Sequence, residues 1–125
     1  MANLTQKQAA GIVAWFRETA MGMQDWAIEL YLTDKPPEWA DSPGADDMGQ
    51  SDSEPQQKRA RVWVSPARCD EQGDDPRSVL LHELMHVVFV DVGVDDGPDR
   101  VHYLVWRFGE ILLKAWLQDA KGRTA

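Results

Sequence analysis

Apolar and polar positions along this chain repeat with two different periods, and the change from one to the other divides it into elements. Ala9, Ile12, Val13, Phe16 and Ala20 recur at helical spacing and predict a first helix with one apolar face. Thr5 and Gln8 supply a capping box at its start, and Gly22 is a suitable terminator. From Asp25 to Asp34 the period falls to two: Trp26, Ile28, Leu30 and Leu32 alternate with Ala27, Glu29, Tyr31 and Thr33, the pattern of a half-buried strand. A second alternating run, Arg59 to Ser65, sets Ala60, Val62 and Val64 against Arg61, Trp63 and Ser65, and Pro66 ends it. Asp75 and Pro76 then open a helix that extends to about Val92, with Gly93 as its stop. Its apolar residues, from Val79 to Val90, occupy nearly every azimuth, so it should be buried on most sides. Pro98 opens a last helix to about Gln118, with Val101, Leu104, Val105, Phe108, Ile111, Leu112 and Ala115 assigned to the core and Lys121 to Arg123 left as a tail.

Between the two strands, residues 35–57 hold four prolines, two glycines and six acidic residues, too few apolar groups to build a core. This segment is expected to be a flexible acidic loop, with Trp39 and Met48 as the residues able to dock. The elements together predict an α+β fold: an N-terminal helix, a small antiparallel sheet or hairpin, and a buried helix packed on a C-terminal one. At 125 residues the chain suits one domain, 1–125.

Charge and cysteine content narrow the function classes. A net charge of −8 repels phosphates, so no nucleic-acid partner is expected, and Lys58, Arg59 and Arg61 read as cations on an exposed strand. No apolar run approaches the roughly 20 residues that span a bilayer, and the N-terminus lacks the pattern of a secretory signal. With Cys69 as the single cysteine, in an acidic stretch without an adjacent histidine, neither a disulfide nor a thiolate metal cluster can form within the chain. A cytoplasmic location is expected.

The chemistry is concentrated in the most apolar helix, at His82-Glu83-Leu84-Met85-His86. Burying an unpaired carboxylate costs several kcal/mol, of order 2–7 for a polar group and more for a charge, so polar functions here need a reason. Histidines at i and i+4 project from one helical face and can converge on one ion, while Glu83 is rotated to the side and can address a water. Two imidazoles under-coordinate zinc. His102, the remaining histidine, borders the apolar face of the last helix and lines up with Gly109, whose missing side chain admits a close neighbour. Glu110 is the alternative third ligand, although Arg107 and Lys114 make it a natural surface ion pair. The bland alternative is a core helix whose histidines are satisfied by protein partners without a metal.

His82-Glu83-Leu84-Met85-His86 resembles the HExxH signature of zincin metallopeptidases. His102, sixteen residues beyond His86, gives a spacing similar to that of SprT-like proteins, and the element order is similar to minimal zincin-like proteins of phages and bacteria. The resemblance covers roughly Trp26 to Leu117. It implies His82, His86 and His102 as Zn2+ ligands and Glu83 as general base. The metzincin pattern needs a further histidine just behind the motif, and Val87 to Gly93 contains none. A thermolysin-like pattern uses a downstream glutamate, which keeps Glu110 in play. The implied activity is hydrolysis of a peptide or protein substrate, with Glu83 taking a proton from water. The run Arg59 to Ser65 is a candidate edge for an extended peptide. The competing function is a zinc-stabilised binding or structural protein with little turnover.

Overall fold

The computed structural model describes residues 4–41, 44, 47–94 and 99–124. Pro98, expected to open the last helix, lies outside the described residues. The elements run α1 (Gln6–Trp15), β1 (Ala27–Leu32), β2 (Gly49–Glu54), β3 (Arg59–Val64), α2 (Pro66–Gln72), α3 (Pro76–Asp91) and α4 (Asp99–Thr124). The α+β class expected from the patterning holds.

Helix α1 starts on the Thr5/Gln8 capping box and continues as a single π-helical turn, Phe16–Ala20. It ends before Gly22, whose φ of 62° suits glycine. Its Ile12 and Phe16 are fully buried. Helix α3 is capped at both ends by the residues its sequence advertised. The Asp75 carboxylate accepts from the Arg77 backbone N–H at 2.9 Å. At the other end the Gly93 N–H donates to Val90 and the Val94 N–H to Phe89, a Schellman closure made possible by the positive φ of Gly93.

The sheet is mixed, in the order β1-β3-β2. The two strands recognised by their alternation are parallel neighbours, with Ile28 opposite Ala60 and Leu32 opposite Val64; a parallel pair needs a long connection, and residues 33–58 provide it. Part of that connection turns back to form β2, which runs antiparallel to β3 with Gly49 opposite Val64 and Glu54 opposite Arg59. Polar on both faces, the Gly49–Glu54 sequence carries no period-two signal; its strand form comes from the β3 edge it pairs with. Trp39 and Met48 do dock, Trp39 edge-on to Tyr31 at 5.4 Å and beneath the Arg61 guanidinium, Met48 against the core.

Two expectations are corrected here. Strand β3 is central and both its edges are occupied, so a peptide cannot add to Arg59–Ser65. Its central position also explains why Trp63 is as fully buried as Val62 and Val64: the indole N–H donates to the Thr33 carbonyl at 2.9 Å and the Arg68 guanidinium covers the ring. Second, α4 turns Val105 and Gly109 toward α3, while Leu104, Phe108 and Ile111 are 41%, 42% and 50% exposed. The apolar arc of α4 is wider than the face it buries, and the helix continues past Gln118 to Thr124. Helix α2 was also not expected from the hydrophobic pattern, although Ser65, Pro66 and Gly73 provide its cap, first residue and stop.

No helix among the described residues is long and apolar enough to cross a membrane.

Candidate metal centre

Three elements meet around the middle of α3. The sheet, with β2 nearest, lies on one side and α4 crosses on another, so His82 and Glu83 are 3% and 8% exposed. The crossing is set by Gly109. A Cβ there would stand 3.3 Å from the His82 backbone N and 3.5 Å from both His82 Cα and the Ser78 carbonyl oxygen. Only a residue without a side chain allows the helices this approach without adjustment, and the approach brings the α4 residues one to two turns earlier over the α3 histidines.

His82 Nε2 lies 3.0 Å from His86 Nε2 and 3.3 Å from His102 Nε2. The potential ligand atoms of the three histidines all fall within 4.8 Å of one another. Nitrogens bound about 2.0–2.1 Å from a tetrahedral zinc are about 3.3 Å apart, and the two separations measured from His82 stand close to that spacing. Burial, followed by the neighbouring His86 and His102, pushes the pKa of His82 down to about 3, which keeps it as the neutral imidazole that a metal binds. Burial dominates because the ring is enclosed: the Trp106 ring lies against it at 4.0 Å between centroids, and Nδ1 is buried without a hydrogen-bond partner among the described residues. His86 is half-buried and His102 exposed, so the group opens toward solvent on one side.

Glu83 Oε2 is 3.9 Å from His82 Nε2, placing the carboxylate beside the point where the imidazoles converge. Above it passes the start of β2, where a Cβ on Gly49 would meet the Trp63 carbonyl oxygen at 2.5 Å and Glu83 Cγ at 3.3 Å. A cleft of about 580 Å3 opens between β2 and α3, lined by Gly49 to Ser53, the three histidines, Glu83 and Trp106.

The residues expected to act together, His82, Glu83, His86 and His102, are therefore gathered in one place. Glu110 is not among them. It pairs with Arg107 at 3.6 Å, its side chain 56% exposed, because it projects from the outer side of α4. The alternative third ligand is thereby corrected to a surface ion pair. Cys69 is fully buried and away from the cleft lining. The contributions of Gly49, Trp106 and the β2 strand were not visible in the sequence; the one local signal was a glycine before the polar run Gln50 to Glu54. The chain matches no family model, no curated protein and no solved structure.

Proposed function

We propose that this protein is a zinc-dependent peptidase that hydrolyses peptide bonds in the cleft between β2 and α3. The observation that carries this reading is the convergence of the His82, His86 and His102 nitrogens with the Glu83 carboxylate beside them at the floor of an open cleft. Neutral imidazoles suit zinc, copper, iron or nickel, and three protein ligands with one position left open, as a catalytic site requires, favour zinc among them. Bound there, zinc supplies Lewis-acid polarisation of a carbonyl and lowers the pKa of water from 15.7 toward about 7.

The chain's own residues account for the rest. Glu83 takes a proton from the attacking water as the new C–O bond forms, and delivers it to the amide nitrogen as the C–N bond breaks. Its near-complete burial holds it without bulk water on the side away from the cleft. Strand β2 ends the sheet and lines the cleft, so its outward-facing backbone groups offer hydrogen bonds to an extended substrate, a common mode of holding main chain. The resemblance of His82 to His86 to the zincin signature supports the same reading.

The test is Glu83→Gln, compared with the wild type on a peptide library read by mass spectrometry. The wild type should cleave, and the variant should bind zinc equally while losing a factor of about 10²–10⁴ in rate. Unchanged cleavage by Glu83→Gln would remove the base from the mechanism. A zinc-loaded wild type that cleaves nothing would favour the zinc-stabilised binding protein instead.

A further inference from the structure

The mechanism makes no use of the outer face of α4. Leu104, Phe108 and Ile111 stand at i, i+4 and i+7 on this helix, each more than two-fifths exposed, and Phe89 from α3 meets Phe108 edge-on at 6.4 Å. One flank of this seam carries Arg100, Arg107 and Lys114, spaced seven residues apart and all exposed. The opposite flank, Val105 and Leu112, is turned toward α3 and the core. An exposed a/d-type seam bordered by a like-charged row is the pattern of a helix lacking its partner. The row is basic within a chain whose net charge is −8, so it is a local feature and not a general property of the surface.

The charges decide the occupant. In an antiparallel pair of α4 helices the basic rows of two copies would face each other. In a parallel pair each row would face Val105 and Leu112, which are not available. Glu110 pairs with Arg107 from behind the row, but both arrangements leave Arg100 and Lys114 without an acidic group across the seam, and neither suits a second copy of this chain. We propose that the outer face of α4 docks an amphipathic helix of another protein, one with apolar residues at i, i+4 and i+7 and acidic residues along one flank. His102 projects from α4 about 150° away from the seam, so a docked helix leaves the cleft open.

The probe is a pair of synthetic 21-residue heptad peptides, leucine at the a and d positions and either glutamate or lysine at e and g, titrated against the folded protein by fluorescence anisotropy. The glutamate peptide should bind at least tenfold tighter than the lysine peptide, and the preference should fall with salt. Arg100→Glu/Arg107→Glu/Lys114→Glu should reverse the order of the two peptides, and Phe108→Ser should weaken binding of the glutamate peptide at least tenfold. Matching thermal melts of these surface variants and the wild type control for folding. Equal affinity for both peptides, or binding of neither, overturns the proposal. So does a concentration-dependent dimer of the wild type that Phe108→Ser abolishes, which would assign the face to a second copy.

Discussion

Gly109 separates the two things that α4 does, packing on α3 and presenting His102. Replacing it with alanine removes a helix-interior glycine, a gain of about 0.5–1 kcal/mol, and inserts a Cβ 3.3 Å from the His82 backbone N and 3.5 Å from the Ser78 carbonyl oxygen. Accommodating it needs a shift of a few tenths of an ångström, so gain and crowding should nearly cancel, and Gly109→Ala should melt within a few degrees of the wild type. Valine adds two methyl groups against the same backbone and cannot be accommodated that way. Overpacking costs about 1–3 kcal/mol, and separating α4 from α3 lengthens the 3.3 Å spacing between His82 and His102. Gly109→Val should therefore be destabilised by that amount and should lose zinc affinity at least tenfold, the range seen when the support of a metal ligand is lost. Urea denaturation of the metal-free proteins and competition with a chromophoric zinc chelator measure the two effects separately. If Gly109→Val keeps both stability and zinc affinity, the close crossing at Gly109 does not position the site.

Gly49→Ala would put a methyl carbon 2.5 Å from the Trp63 carbonyl oxygen and against Glu83; β2 must move off β3 at its first residue, so stability should fall by about 1–3 kcal/mol in urea denaturation, and an unchanged midpoint would refute the contact. Burial pushes the Cys69 thiol up to about 12, with Asp74 and Asp75 adding to the effect, so at pH 8 it is protonated and shielded. Labelling by a disulfide reagent should be negligible in the native protein and rapid in denaturant, and rapid native labelling would contradict the packing around α2.

Where residues carried their own instructions, the fold was legible in the sequence. The ends of α1 and α3 follow from Thr5, Gln8, Asp75 and Gly93, whose side chains or backbone freedom act within one turn. β1 and β3 follow from an alternation that a half-buried face imposes. β2 was not legible, since its polar residues take strand form from a neighbour that is distant in the chain. Nor was the face α4 buries. Its apolar arc spans both the α3 contact and the exposed seam, and only the packing at Gly109 chooses between them. The site was legible to the extent that one helix defines it: His82, Glu83 and His86 are fixed by α3 alone. His102 was within reach because it was the only remaining histidine and Gly109 lay on its face. The β2 wall of the cleft and the Trp106 ring on His82 depend on tertiary contacts with no local trace.

In the proposed function three imidazoles from α3 and α4 hold one zinc ion, and native mass spectrometry of the zinc-exposed protein counts that ion. The wild type and Glu110→Ala should each carry one zinc per chain, and His82→Ala, His86→Ala and His102→Ala should each carry none. Zinc retained by His102→Ala, or absent from the zinc-exposed wild type, would rule out coordination by the three histidines.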